Sequence, residues 1–362
     1  MILSTLVTAL LIAGELAISE PIPVEPGSSK RADTTQCGGS PETLLGSRII
    51  VRMEAEATPG LLRQARAGEI GGVILFPPPE ADQETLRGEI ERLQRAAAEA
   101  SESPLLVAID QEGGEVKRLS DAPPDLPPPE ISAAGAPTAR QQGAATARHL
   151  ARLGVNADLA PVLDVPAQSD SFIAARAFGS DPATVAEVGT AFAEGLDDGG
   201  VAAAAKHFPG LGRSSVNTDL SASEVPAAEA ELRADLEPFE AAIDAGVPLV
   251  MLANATYPAL DPDLPAFASP AIAQGLLRDE LGFDGVTITD DLGAGAVTAS
   301  FAPAEAALAA ARGGSDLLLF ALTESPDVLD PLVRAAERGE LGPRALGEAC
   351  ARVLELRERL AG

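Results

Sequence analysis

Aromatic and basic side chains are the most informative scarcities in this 362-residue sequence. Trp is absent and Tyr257 is the single Tyr, which disfavours a long groove that holds a polymer by aromatic stacking and favours a small pocket lined by polar groups. The formal net charge is −28. Because binding to a phosphate backbone requires basic surface, the composition disfavours nucleic acid as a partner.

Histidine and several catalytic motifs are also scarce or missing. The chain contains only His149 and His207, so a His-based zinc cluster cannot form, and there is no His-Glu-x-x-His motif. No Gly-x-Ser-x-Gly sequence is present, and the glycines at 210 and 212 lack the rest of a dinucleotide fingerprint. The sequence therefore predicts neither a metal site nor a bound cofactor.

The N-terminal segment, residues 1–40, is predicted to be a signal peptide followed by a flexible tether. Residues 1–14 form an apolar run too short for a comfortable membrane span, and residues 20–40 are rich in Pro, Gly, Ser and Thr. The run lacks a basic start, since the first positive residue is Lys30, so an ordinary buried helix or a different start remains the alternative. We expect a secreted or envelope-associated protein, with any membrane tether confined to this segment; without a signal it would be cytoplasmic.

Two cysteines are present, Cys37 at the end of the tether and Cys350 in the last helical stretch. The first and last elements of a closed barrel are neighbours, so a Cys37–Cys350 disulfide is one hypothesis, consistent with an oxidising compartment. Two unrelated thiols are the other, because connectivity cannot be deduced from sequence.

From residue 41 onward, apolar β-rich runs alternate with helical stretches such as 81–100 and 182–197. Buried parallel strands separated by helices have this pattern. Eight such units predict a single α/β domain over residues 41–362, a (β/α)₈ TIM-type barrel. The predicted strands are 49–53, 72–76, 105–109, 157–160, 201–205, 248–252, 286–289 and 317–320.

Polar residues follow most of these strands at once, for example Asp110, Asp164, Lys206 and Asp290. A single Asp after a strand is usually a helix cap, but five polar strand ends are harder to explain by capping. The active sites of barrel enzymes lie where the carboxyl ends of the strands meet. Several carboxylates with one Lys and one His at such a mouth suit glycoside hydrolysis, which needs one ionised carboxylate at the sugar carbon and one proton donor at the leaving oxygen.

The sequence also resembles a known family over about residues 41–360. Landmarks of family 3 glycoside hydrolases recur in order, and the Lys-His-Phe-Pro-Gly element is the most specific of them. Overall the chain is most similar to the compact, single-barrel β-N-acetylhexosaminidases (β-N-acetylglucosaminidases) of that family. The matching segments are Asp110-Gln-Glu-Gly-Gly with Arg118, Ala160-Pro-Val-Leu-Asp-Val, Arg176-Ala-Phe-Gly-Ser-Asp-Pro, Lys206-His-Phe-Pro-Gly, and Gly282-Phe-Asp-Gly-Val running to Asp290-Asp-Leu.

The resemblance implies a role for each matching residue and a small carbohydrate as the substrate. Asp290 would be the nucleophile of a retaining exo-glycosidase that removes terminal β-linked N-acetylhexosamine; Asp291 is the weaker candidate because the family nucleophile is the first acidic residue after this strand. The remaining positions would contact the sugar: Asp110 as an acceptor, Arg118 at the rim, and Arg176, Lys206 and His207 as donors. For Asp164, an internal structural role is favoured over a catalytic one.

The loop after Lys-His-Phe-Pro-Gly departs from the family pattern. There the hexosaminidase group has an Asp-Ser/Thr-His triplet whose His is the acid/base, and here Asn217 and Asp219 stand at the Asp and His positions. Asn254 and Glu115 are further departures, at positions where the family favours His and Arg. In one interpretation Asp219 itself is the acid/base; in the other, acid catalysis is impaired and the barrel only binds carbohydrate. We favour the first because the other site positions are retained. β-Glucosidase or phosphorylase specificity is a further alternative.

Overall fold

The computed structural model describes Cys37, residues 40–322 and residues 327–361, and its centre is a barrel of eight parallel strands. Consecutive strands are neighbours from β1 to β7, and β8 pairs with β1 on its other side. A parallel bridge between Ile288 and Leu317 joins β7 to β8 and closes the ring. The strands are β1 Ile49–Met53, β2 Gly72–Leu75, β3 Leu106–Ile109, β4 Ala157–Asp158, β5 Ala202–Phe208, β6 Leu249–Leu252, β7 Val286–Thr289 and β8 Leu318–Phe320.

All eight predicted strands exist, so the predicted fold is confirmed. The largest differences are at β4, which ends at Asp158 instead of residue 160, and at β5, which continues through Phe208 instead of ending at residue 205. Phe208 still pairs with Leu252 in β6, so Lys206 and His207 belong to the strand and not to the loop after it. These two side chains are therefore held by a strand of the barrel.

Two packed layers explain why Ala-rich segments can form β4 and β5. One face of each strand fills the barrel interior and the other contacts the helices, so strands buried on both faces need little alternation of polar and apolar residues. The small side chains of β4 and β5 fit among larger ones from the other strands, and this packing outweighs the low strand propensity of Ala. The interior layer includes Ile50, Ile74, Leu106, Ala108, Ala157, Leu159, Ala202, Ala204, Leu249, Met251, Val286, Ile288, Leu317 and Leu319.

Helices surround the barrel and begin at capping residues that are visible in the sequence. Asp82 accepts a hydrogen bond from the N–H of Thr85 at 2.8 Å, and Asp181 accepts one from the N–H of Thr184 at 3.0 Å. Both predicted helices are confirmed, the first with shorter bounds. The helices are Pro41–Gly46, Pro59–Ala67, Gln83–Ala97, Pro128–Ala134, Ala136–Leu153, Pro182–Asp198, Glu229–Ala234, Glu237–Asp244, the π-wound Ala271–Glu280, Gly295–Thr298, Pro303–Gly313, Leu329–Glu337 and Pro343–Arg359.

A disulfide joins Cys37 to Cys350 in the last helix, with the two Cα atoms 6.1 Å apart. This settles the pairing that the sequence left open and ties the start of the described chain to the last helix. The predicted signal peptide and tether fall on residues 1–36 and 38–39, which lie outside the described residues. Within the described part of the chain, no helix is long and apolar enough to cross a membrane.

Candidate active site

The mouth at the carboxyl ends of the strands collects most of the predicted site residues. Asp110 follows β3, Lys206 and His207 lie near the end of β5, and Asp290 follows β7. Because β3 and β7 are four strands apart in a ring of eight, Asp110 and Asp290 stand on opposite sides of the mouth. The structure thus brings these side chains around one opening, as the strand-end pattern predicts.

A buried charged cluster forms around the Lys206 ammonium, whose side chain is 2% exposed. Its Nζ lies 3.0 Å from Asp110 Oδ1 and 2.6 Å from Glu112 Oε1. Arg176 donates to both carboxylate oxygens of Glu112, at 2.9 and 2.8 Å. Burial alone would raise the pKa of Asp110 and of Glu112, but Lys206 and the nearby arginines outweigh it and hold both below their ordinary values. At neutral pH the cluster therefore presents fixed, ionised groups.

Arg118 extends this cluster to the rim of the barrel. One of its terminal nitrogens lies 3.3 Å from Asp110 Oδ2, and its guanidinium carbon is 4.1 Å from the centre of the Phe76 ring. Arg52 approaches the same ring at 4.6 Å. A guanidinium held over an aromatic ring gains about 0.5–2 kcal/mol, so Arg118 is restrained beside Asp110.

The imidazole of His207 is oriented by Asp164. Nδ1 of the ring lies 2.7 Å from Asp164 Oδ2, while Oδ1 accepts hydrogen bonds from the backbone N–H groups of His207 and Leu211 at 3.3 and 2.6 Å. Asp164 itself is fully buried, so within this site its carboxylate contacts the imidazole and these two N–H groups. Nε2 is the ring nitrogen that remains for a ligand.

The adjacent carboxylates Asp290 and Asp291 differ sharply in their surroundings. Asp291 is a backbone cap: Oδ1 accepts from the N–H groups of Ala321 and Gly293 at 2.8 and 2.9 Å, and Oδ2 from that of Leu322 at 3.1 Å. Asp290 Oδ1 accepts one hydrogen bond, from the N–H of Asp291 at 2.8 Å. Among the described residues, none donates to Asp290 Oδ2. Of the pair, only Asp290 has a carboxylate oxygen available to a substrate.

Several neighbours act electrostatically on Asp290. Burial raises its pKa above the ordinary value, His207 and Lys206 act in the opposite direction, and Asp219 adds to the rise. Burial also raises the pKa of Asp291, to about 6, despite its N–H donors. Groups from β5 and from the loop after it are therefore within electrostatic range of Asp290.

The loop of residues 211–224, called the β5 loop below, carries Asp219 over the segment that follows Asp290. The carbonyl of Asp219 accepts a hydrogen bond from the N–H of Gly295 at 2.9 Å, and that of Thr218 accepts one from the N–H of Ala296 at 3.0 Å. Asn217 Oδ1 accepts from the N–H of Asp219 at 2.9 Å. Asn217 thus orders the backbone at Asp219, and the Asp219 side chain remains exposed.

Some residues of the site carried no clear signal in the sequence. Glu112 lies within the family motif, but only the structure reveals that it holds both Arg176 and Lys206. Asp158 is fully buried beneath the cluster and accepts from the N–H of Gln111 at 2.9 Å, and burial raises its pKa to about 8. Asn254, noted for its departure from the family, donates to the Asp291 carbonyl at 2.8 Å. Each interaction joins different strands, so local sequence could not predict it.

A barrel with ionised carboxylates and fixed cationic donors around one mouth has the architecture and chemistry of a glycosidase. The family model described as "Glycosyl hydrolase family 3 N terminal domain" matches residues 50–356. The chain therefore belongs to glycoside hydrolase family 3 and is a glycoside hydrolase.

Two curated relatives illustrate the similarity. A beta-hexosaminidase of Stenotrophomonas maltophilia is 36% identical over 286 residues, which cover 76% of this chain and 83% of the relative. An uncharacterized secreted glycosyl hydrolase of Arthroderma benhamiae is 32% identical over 312 residues, covering 83% of this chain and 88% of the relative. The match to both relatives thus extends over most of each protein.

Two solved structures have the same fold. The beta-N-acetylhexosaminidase of Beutenbergia cavernae superposes with a TM-score of 0.83 at 34% identity, over 89% of this chain and 99% of that one. A family 3 beta-N-acetylglucosaminidase of Paenibacillus gives a TM-score of 0.85 at 33% identity over 90% of this chain. This chain spans 63% of the Paenibacillus protein, which is correspondingly longer.

Proposed function

We propose that this chain is a retaining exo-glycosidase that hydrolyses terminal β-linked N-acetylhexosamine through a covalent intermediate on Asp290. The family supports glycoside hydrolysis, and relatives named as hexosaminidases support the amino sugar as the substrate class. The scarcity of aromatic side chains fits a pocket for one terminal sugar better than a polymer groove.

The observation that carries the proposal is the contrast between Asp290 and Asp291. Both carboxylate oxygens of Asp291 accept hydrogen bonds from backbone N–H groups, whereas Asp290 keeps one oxygen available at the mouth. His207 and Lys206 favour the ionised form of Asp290 against the effect of burial. A partly buried carboxylate of this kind is a suitable nucleophile, because it carries little hydration that must be removed before it attacks.

In the first step, Asp290 would attack the anomeric carbon while the bond from that carbon to the leaving oxygen breaks. Asp219 would donate its proton to the leaving oxygen, and a glycosyl ester forms on Asp290. In the second step, Asp219 as a carboxylate would remove a proton from water as the water oxygen attacks the anomeric carbon. The ester bond then breaks, the sugar leaves with retained configuration, and both carboxyls return to their starting states.

The charged cluster supplies the groups that would hold the sugar. Asp110 accepts hydrogen bonds from hydroxyl groups, while Lys206, Arg176 and His207 Nε2 donate hydrogen bonds or complete the polar wall. Arg118 would shape the rim beside Asp110. Because these groups already pair with one another, little reorganisation is required when a sugar binds.

We also propose that the protein acts outside the cytoplasm, in the envelope or beyond it. The Cys37–Cys350 disulfide persists most readily in an oxidising compartment. The apolar start of the sequence and the relative named as a secreted glycosyl hydrolase point the same way.

The test compares an activated aryl β-N-acetylglucosaminide with an unactivated β-linked N-acetylglucosamine disaccharide. Asp290→Ala should lower kcat/KM for both substrates by about 10⁴-fold or more, because the covalent route is lost. Asp219→Ala should lower kcat/KM for the disaccharide by about 10²–10⁴-fold and affect the aryl glycoside much less, because a good leaving group needs little protonation.

Asp279→Ala removes an exposed carboxylate from the helix Ala271–Glu280 and is the matched control, expected to be fully active. If the wild type binds N-acetylglucosamine but cleaves neither substrate in an Asp290-dependent manner, the chain is a carbohydrate-binding barrel and the proposal is wrong. Adding inorganic phosphate tests phosphorolysis: a sugar 1-phosphate product would replace hydrolysis as the reaction.

A further inference from the structure

We propose that Gly295 is a positioning residue for the proton donor: the missing side chain lets the β5 loop rest on the backbone beyond Asp290, and this contact places Asp219. The inference rests on the proposed role of Asp219 and adds the element that sets its position. Gly295 is the first residue of the short helix Gly295–Thr298, five residues after Asp290.

Two backbone hydrogen bonds form the contact. The N–H groups of Gly295 and Ala296 donate to the carbonyls of Asp219 and Thr218, at 2.9 and 3.0 Å. Both donors are in the first turn of a helix, where backbone N–H groups have no partner within the helix itself. Thr218 is 3% exposed, so this part of the loop is packed against the barrel while the neighbouring Asp219 side chain stays accessible.

No side chain can occupy position 295 while the loop keeps this place. A Cβ atom there would lie 2.3 Å from the Leu220 carbonyl oxygen, 2.4 Å from its carbonyl carbon and 2.9 Å from the Asp219 carbonyl oxygen. All three of these atoms belong to the backbone, so they cannot move away by a change of rotamer as a flexible side chain can. Gly295 is not among the glycines with left-handed φ, so close approach alone requires glycine here.

Hydrogen bonds within the β5 loop hold it together. A clash at Leu220 should therefore displace Asp219 along with Leu220. The Ser214 hydroxyl lies 2.6 Å from that of Ser223 across the base of the loop, and Asn217 restrains the N–H of Asp219. At the start of the loop, Arg213 Nε lies 2.6 Å from Asp235 Oδ2. The absence of a side chain at residue 295 therefore determines how closely the whole β5 loop approaches the mouth.

The test uses Gly295→Ala in the full chain, with Gly88→Ala as the matched control. A Cβ at Gly88, within the helix Gln83–Ala97, meets no atom within 4 Å. We expect Gly295→Ala to lower kcat/KM for the disaccharide by about 100-fold, since a displacement of about 1 Å can cost this much. The aryl glycoside should change by less than about threefold, because its leaving group needs little protonation.

A general loss of folding would lower kcat/KM for both substrates by the same factor. The ratio of the two kcat/KM values therefore separates a positioning effect from structural damage. The double variant Gly295→Ala/Asp219→Ala should cleave the disaccharide no more slowly than Asp219→Ala alone, because both changes remove the same proton transfer. Asn217→Ala adds no clash and should also lower kcat/KM for the disaccharide selectively, to a smaller extent than Gly295→Ala. This variant tests the proposal if Gly295→Ala fails to fold.

If Gly295→Ala and Asn217→Ala cleave the disaccharide within about threefold of wild type while Asp219→Ala is severely impaired, Asp219 is the acid but the positioning role is refuted. If Asp219→Ala itself is fully active on the disaccharide, the acid role fails and the positioning role fails with it. If both glycine variants lose activity equally, the loss comes from the substitution of glycine by alanine and the proposal is overturned.

Discussion

Replacing Lys206 by Met removes the cation at the centre of the buried cluster while keeping a side chain of similar length. In the native protein the ammonium lies 3.0 Å from Asp110 and 2.6 Å from Glu112, and its side chain is 2% exposed. The substitution leaves two buried carboxylates with fewer partners, although Arg118 and Arg176 remain. We expect a destabilised protein whose deficit depends on pH.

The size of the expected loss in the free energy of unfolding follows from two opposing effects, the attraction between the charges and the desolvation of the ammonium. At an effective dielectric constant of about 20, unit charges at these two distances attract by roughly 5 to 6 kcal/mol each. The ammonium is itself desolvated, which cancels much of that gain, and breaking a buried ion pair typically costs about 3–5 kcal/mol. Since the two arginines still compensate part of the charge, we expect a loss near the lower end, about 3 kcal/mol in the free energy of unfolding.

The pH dependence has a definite sign. Asp110 and Glu112 have lowered pKa values in the folded protein, so their ion pairs stabilise it above the unfolded pKa values and this stability is lost as pH falls through the folded ones. Without Lys206 both pKa values rise, and the freed carboxyls take up protons at a higher pH than in wild type. The difference in the free energy of unfolding between wild type and Lys206→Met should therefore be largest at neutral pH and smaller near pH 5.

Urea unfolding of wild type and Lys206→Met at both pH values measures this directly. Lys117→Met, at a partly exposed position outside the cluster, controls for the loss of a lysine. A loss below about 1 kcal/mol at neutral pH, or a deficit that grows as the pH is lowered, would refute the view that Lys206 compensates two ionised carboxylates.

Three further predictions concern other parts of the molecule. Asp158→Asn should remove a decline in stability of up to about 1.4 kcal/mol per pH unit between roughly pH 4 and 8. The folded pKa of about 8 lies above the ordinary value of 3.8, so the folded state holds one more proton in that window and loses stability as pH rises. Urea titrations at several pH values across this window test the prediction. Cys350→Ser should lower the free energy of unfolding by about 5 kcal/mol or less, since the disulfide spans 313 residues of chain, and a calorimetric Tm equal to wild type would contradict this. His207→Ala should move the acidic limb of kcat/KM to higher pH, because His207 opposes the rise in the pKa of Asp290, and an unmoved limb in the pH–rate profile would count against it.

The strands of the barrel were predictable because burial on both faces leaves long apolar runs in the sequence. The ends of the strands were less predictable. Lys206 and His207 resemble loop residues by polarity, yet they remain in β5 because the cluster and Asp164 satisfy their polar groups inside the fold. Proximity to the carboxyl end of a strand predicted that Asp110 and Asp290 lie at the barrel mouth, without any knowledge of their partners.

The interactions between the site residues could not be predicted in the same way. Glu112 and Arg176 are far apart in sequence, and only barrel closure brings the carboxylate to the guanidinium. The contact of the β5 loop with Gly295 likewise joins segments that follow different strands. A glycine required for space alone, without a left-handed φ, has no distinctive pattern in its neighbours.

The most direct test of the central claim is to trap the covalent intermediate with the Asp219→Ala variant and an activated aryl β-N-acetylglucosaminide. Without the general base the second step slows, so the glycosyl-enzyme should accumulate and raise the intact mass by one N-acetylhexosamine residue. Peptide mapping after acid quench should place that added mass on Asp290. A burst of aryl release with no adduct, or an adduct on Asp291 or any other residue, would contradict the assignment of Asp290 as the nucleophile.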